Sequence, residues 1–152
     1  MATDMNSTPG ERERTVGYGS RFTLDRPFAE TIEAVRAALA EEGFGVLTEI
    51  DVRATLKAKL GVDVPAQMIL GACNPSLAHA ALEAEPSIGL LLPCNVVVRE
   101  DPKGTIVEAI DPSALVRITQ NPALEPIAIE TSRRLGSALD AVAAPSDKEV
   151  PR

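Results

Sequence analysis

Residues 94–111 read CNVVVREDPKGTIVEAID, and this stretch decides the fold. Asn95–Glu100 and Thr105–Ile110 are two short runs rich in β-branched residues, the composition of strands. Between them, Asp101-Pro102-Lys103-Gly104 puts Asp, Pro and Gly at the first, second and fourth positions of a tight turn. The two runs therefore form a hairpin, and the sheet is at least partly antiparallel.

The remaining elements are placed outward from that hairpin. Upstream, Tyr18, Phe22 and Leu24 alternate with small or polar residues and predict a strand over 16–24. Asp25 and Pro27 supply a capping side chain and a first-turn proline for a helix whose apolar stripe is Phe28, Ile32, Val35 and Leu39. Gly43 suits the left-handed position that ends helices. Residues 44–50 predict a second strand. Asp51 caps a short helix with Val52, Leu56 and Leu60 on one face and Gly61 as its stop. The apolar run 67–72 predicts a buried strand. Asn74-Pro75 pairs a favoured N-cap with a favoured first helical residue. Leu77, Ala78, Ala81 and Leu82 give that helix an apolar face, and Pro86 closes it. Downstream, a loop containing Asp111-Pro112 and Asn121-Pro122 leads to a last helix over 124–143, with Ala128, Thr131, Leu135, Ala138, Leu139 and Val142 toward the core. The expected architecture is a single α+β domain over 15–143, its sheet partly antiparallel with helices packed on one face. Polar, Pro-containing tails are expected over 1–14 and 144–152.

Composition excludes several function classes. The chain of 152 residues carries 15 basic and 22 acidic side chains, a net charge of −7. An acidic domain repels phosphate backbones, and with no Trp, one Tyr and three Phe there is no base-stacking surface, so nucleic acid is excluded as a partner. No apolar run is long enough to span a membrane. The segment MATDMNSTPGERER lacks a secretory h-region, and the expected location is cytoplasmic. In that compartment the two cysteines are free thiols. The glycines form no phosphate-loop or dinucleotide pattern, and no serine sits in a nucleophile elbow, so no cofactor is named by motif.

Cys73 is the sharpest chemical feature. It immediately precedes a helix N-terminus, where free N–H groups and the helix dipole favour a thiolate. Asn74 competes for those donors, and a small buried side chain at a strand end is the plainer account of Cys73. Cys94 opens the hairpin after Pro93 and meets Cys73 if strands 67–72 and 94–100 are neighbours. The candidate site is therefore Cys73, Asn74 and Cys94, with no catalytic set. A metal site using His79 as a third ligand falls short of the usual four, so no metal is assigned. Arg53, Lys57 and Lys59 form a basic face read as solvated. Glu41, Glu42 and Asp51 form no catalytic pair.

The segments Gly43–Val52, Leu56-Lys57, Ile69–Pro75 and Leu91–Val96, in this order, resemble the family called domain of unknown function 302 over about residues 16–143. The Cys-Asn-Pro and Leu-Pro-Cys motifs map onto Cys73-Asn74-Pro75 and Leu92-Pro93-Cys94. The resemblance implies a small α+β fold of TATA-binding-protein-like topology and a homodimer, and implies no activity. Three functions stay open. The first is a non-catalytic small-ligand-binding module, with Leu90–Leu92, Met68 and Val96 as candidate pocket lining. The second is a redox or sulfur-handling protein using Cys73 and Cys94. The third is a dimerisation or docking protein with an exposed apolar face.

Overall fold

The computed structural model describes residues 13–15 and 17–144. Six strands form one sheet in the order β1-β2-β6-β5-β4-β3, with every neighbouring pair antiparallel. They are β1 (Glu13–Thr15), β2 (Gly19–Leu24), β3 (Gly45–Asp51), β4 (Gln67–Cys73), β5 (Cys94–Asp101) and β6 (Gly104–Ile110). The helices are α1 (Phe28–Glu41), α2 (Val52–Leu60), α3 (Pro75–Ala84), α4 (Ser113–Thr119) and α5 (Glu125–Ala143), with short 3-10 segments at Pro86–Leu91 and Pro122–Leu124.

The hairpin of β5 and β6 closes as expected. Asp101 pairs with Gly104, and the Asp101 carboxylate accepts from the Lys103 backbone N–H at 3.0 Å. Gly104 has φ +137, and a Cβ there would lie 2.3 Å from the Leu24 carbonyl oxygen, so only glycine fits. Alternate residues of the strands face one side: Phe22, Leu70, Ala72, Val96, Val98, Val107 and Ala109. Ile32, Val35 and Leu39 of α1 and Leu135, Ala138, Leu139 and Val142 of α5 cover them as one core. A second, smaller cluster joins Ala81, Ile88 and Leu124, with Leu91, Leu92, Leu115 and Ile127 packed against it.

The expected α+β architecture holds, and the antiparallel pairing of the hairpin extends through the whole sheet. Several local expectations are corrected. The strand expected over 16–24 is β2, and a further short strand, β1, precedes it across Gly17 at φ +72. Helix α1 begins at Phe28 with Pro27 as its N-cap and no side-chain cap, too far along for Asp25 to reach its free N–H groups. Instead, Thr31 donates both its backbone N–H and its hydroxyl to the Pro27 carbonyl. The expected loop after Asp111 contains α4. In α2, Asp51 does cap the Ala54 N–H and Gly61 does end the helix at φ +68. Its apolar stripe, however, buries nothing, and Leu60 is 68% exposed. Leu82 is also exposed, and only Ala81 of α3 is buried. Of the tails expected over 1–14 and 144–152, all but Glu13, Arg14 and Ala144 lie outside the described residues.

Leu39 has no solvent exposure and sits where α1 meets the sheet. Leu39→Ala is expected to lower the unfolding free energy by about 3 kcal/mol through lost burial and the cavity left behind. The exposed Leu60→Ala is expected to change it by less than about 0.5 kcal/mol. Urea denaturation of the two variants checks both values.

Candidate functional site

The end of β4, the start of β5 and the helices beyond them line a cavity that is partly open to solvent. Its wall includes Phe44, Ala72, Cys73 and Asn74 on the sheet side, Leu77, Ala78 and Ala81 from α3, and Leu92, Pro93 and Cys94. Leu115, Leu124, Ile127, Ala128 and Thr131 complete it. The cavity lies on the seam between the two hydrophobic clusters, since Phe44 and Ala72 belong to the larger and Ala81, Leu92 and Leu124 to the smaller. Its void is about 40 Å³, counted as space open to the centres of water molecules. One water needs about 10–15 Å³ on this scale, so the void takes a ligand of a few heavy atoms.

All three candidate residues line this cavity. Ala72 and Cys94 are direct partners in the β4–β5 ladder, which brings Cys73, the next residue of β4, alongside Cys94. Both cysteines are free thiols. Asn74 is buried, and its side-chain oxygen accepts from the Leu77 N–H at 3.3 Å as the N-cap of α3. Its amide nitrogen donates to the Glu42 carbonyl at 3.5 Å. A Cβ at Gly43 (φ +82) would stand 3.0 Å from that nitrogen, so Gly43 both ends α1 and leaves room for Asn74. On the sheet, Gly71 does the same for its neighbours: a Cβ there would meet the Thr48 hydroxyl at 2.1 Å and the Pro93 ring at 2.7 Å. The Leu92–Pro93 peptide bond is cis.

Pocket lining was only partly legible. Leu92 lines the cavity, but Leu90 is 88% exposed, and Met68 and Val96 belong to the main core. The residues missed include Phe44, Leu77 and Ala78, Leu115, and Ile127, Ala128 and Thr131 of α5, the last two read simply as core. His79 is exposed and pairs with Glu83 at 3.2 Å, away from both thiols. Among the described residues no group of three or more His, Cys, Asp or Glu could hold a metal ion.

The chemistry of the wall is soft and apolar. The Thr131 hydroxyl donates to the Ile127 carbonyl at 2.7 Å, and the Asn74 amide is used at both ends. What remains uncommitted is sulfur. Burial pushes the Cys94 thiol up to about 11, and the neighbouring Cys73 adds to the shift. At neutral pH Cys94 is therefore held as the neutral thiol, and burial keeps it from external electrophiles. One turn beyond Thr131, Arg134 approaches Gly43, yet it donates to Glu130 at 2.7 Å. Hydrogen bonds from Arg133 and then Arg134 hold the Glu130 carboxyl down at about 2, so these cations are already matched.

Helix α3 roofs the cavity and is fastened at both ends by asparagines. Asn74 holds its start, and Asn121 donates to the Ala84 carbonyl at 3.1 Å and to the Glu85 carboxylate at 3.0 Å at its end.

The family model described as domain of unknown function DUF302 matches residues 20–142. A solved structure, that of the uncharacterized conserved protein DUF302 from Bacillus stearothermophilus, is 33% identical in sequence. It matches over 83% of this chain and 98% of that one, with a TM-score of 0.77. A search of curated proteins finds no match.

Two predictions arise from this geometry. Asn74→Ala is expected to cost about 1 kcal/mol, the usual loss for an N-cap, and hydrogen exchange should quicken most in α3. Raising pH ionises the Cys94 thiol in the unfolded chain near its usual 9 but in the folded protein only near 11. The folded state holds the extra proton between these values, so stability falls across pH 9–11 by about 2–3 kcal/mol and then levels. Denaturation of wild type and Cys94→Ala across that range should show the smaller loss in the variant.

Proposed function

The chain belongs to the DUF302 family, and on that footing we propose that it is a non-catalytic binding module for a small apolar ligand held in the cavity beneath α3. The observation that carries this reading is the wall itself. It is lined by aliphatic side chains and Phe44, its oxygen and nitrogen groups are engaged, and its buried thiol is un-ionised. Such a wall discriminates by shape and dispersion and offers no charged or general-base group for turnover. The setting we propose is the cytoplasm, where both thiols are reduced at rest. No helix among the described residues is long and apolar enough to cross a membrane.

A dimer accompanies the reading. The edge strand β3 exposes Leu47 and Ile50, and Leu60 and Val62 lie exposed at and just past the end of α2. A second copy is the proposed cover for this apolar surface. Light scattering should then report twice the chain mass, and Leu47→Glu should return it to one.

The binding reading is tested by nuclear magnetic resonance titration with linear alkanols of two to six carbons. Affinity is expected to rise about fourfold per methylene, following roughly 0.8 kcal/mol per buried CH₂, until the void is filled. Shifts should be confined to α3, the first half of α5 and the facing ends of β4 and β5. Ala78→Leu, which fills the void from the half-buried side of α3, should abolish binding while leaving the fold intact. Weak shifts scattered over the surface with no dependence on chain length would sink the proposal.

A further inference from the structure

The cavity holds two thiols in unequal positions. Cys94 is 7% exposed, lines the cavity, and has no hydrogen-bond partner among the described residues. Cys73 is half-buried and lines the same cavity. Their backbones are close by construction. Ala72 and Cys94 face each other across the ladder at about 5 Å, and Cys73 is one residue further along at about 3.3 Å. The Cys73 and Cys94 Cα atoms are therefore about 6 Å apart, inside the 4.4–6.8 Å that a disulfide spans. A regular pleat would send the two side chains to opposite faces. The strand ends at Cys73, however, where Asn74 turns the chain into α3; both residues line the same cavity, and the Cys73 charge acts on the Cys94 thiol.

We propose that Cys73 and Cys94 form a reversible disulfide, driven by a hydroperoxide, that closes the cavity to its ligand. Exposure sets the order of events. The Cys73 sulfur attacks the peroxide, the O–O bond breaks, and Cys73 becomes a sulfenic acid with release of water or an alcohol. Cys94 then attacks the Cys73 sulfur, its proton leaves with the departing hydroxide as water, and the S–S bond forms. Two electrons pass from the two sulfurs to one peroxide, and nothing else is consumed. The bond ties the end of β4 to the start of β5 across the wall and takes up both sulfurs that face the ligand. The closure rests on the ligand-binding reading of this cavity, whereas the disulfide itself does not.

The test treats the full reduced chain with an equivalent of hydrogen peroxide, alkylates it with iodoacetamide under denaturing conditions, and reads its intact mass. The expected product is a monomer lighter by two hydrogens that takes up no alkyl group and returns to two alkylatable thiols with dithiothreitol. Cys94→Ala should instead trap the Cys73 sulfenic acid as a dimedone adduct, and Cys73→Ala should leave Cys94 unoxidised. Binding of 1-butanol, read by titration on reduced and oxidised protein, should weaken at least tenfold on oxidation. The proposal is overturned if Cys73 gains oxygen while Cys94 stays alkylatable, if both thiols survive, or if only cross-linked dimers form. A disulfide that leaves 1-butanol affinity unchanged overturns the closure. Failure of the reduced protein to bind 1-butanol fails the binding reading instead, and the mass result still decides the disulfide.

Discussion

The structure depends on covering one apolar face of an antiparallel sheet. Leu70, Val96, Val98 and Val107 are fully buried there, and α1 and α5 bury Val35, Leu39, Leu135 and Leu139 onto them. At roughly 25 cal/mol per Å² of apolar surface, this contact is the main source of stability and fixes where both helices lie. Everything at the site follows from how α5 continues. At about 1.5 Å per residue, its 19 residues run roughly 28 Å, more than the core needs. The second half, from Leu135 to Val142, serves the core. The first half carries Ile127, Ala128 and Thr131 past the sheet, where they meet α3 and the smaller cluster. Two clusters on one rigid helix do not close perfectly against each other, and the cavity is the gap on their seam.

The parts of this arrangement legible in the sequence are those with local causes. The hairpin was written in a turn that only Asp, Pro and Gly satisfy together, and the start of α3 in a cap and a proline. The α5 stripe was legible because a long periodic pattern has one reading. What escaped has tertiary causes. Helix α4 is only seven residues long, is β-branched at Val116, Ile118 and Thr119, and lies between two X-Pro steps, so propensity argues against it although the Asp111 carboxylate accepts from the Ser113 N–H at 3.0 Å at its start. It exists because Ala114 is buried and Leu115 and Val116 pack against the smaller cluster. Helix α2 is the converse case, since its apolar spacing is helical but its contact with β3 and β4 leaves Val52 and Leu56 only half-buried and Leu60 exposed. Periodicity reports a face and not the presence of something to cover it.

The candidate site shows the same division. The pairing of Cys73, Asn74 and Cys94 was legible because neighbouring strands bring their ends together, and the ladder register does this directly. The unequal character of the two thiols was not. Sequence placed Cys73 as the reactive group by its position before a helix, but Asn74 already takes the Leu77 N–H, which removes part of that attraction for an anion. The decisive difference lies at Cys94, where burial holds the thiol neutral. Burial is a property of α3, α4 and α5 together, and no segment around Cys94 encodes it.

The way α3 is held bears on how a ligand enters. A roof that contributed several large side chains to the core could lift only by exposing them, at a cost of about 1.5–3 kcal/mol each. Helix α3 contributes only Ala81 as a buried residue. It is secured instead by polar bonds at its two ends, from Asn74 to Glu42 and from Asn121 to Ala84 and Glu85. Each such bond is worth roughly 0.5–1.5 kcal/mol net and can be exchanged for water as the helix moves. These bonds, with the packing of Ala81 and Ala84 on the smaller cluster, hold α3 along one side of a pocket that is partly open to solvent. The fold thus separates its two requirements: stability resides in the large cluster, and the pocket is shaped where α3 meets the smaller one.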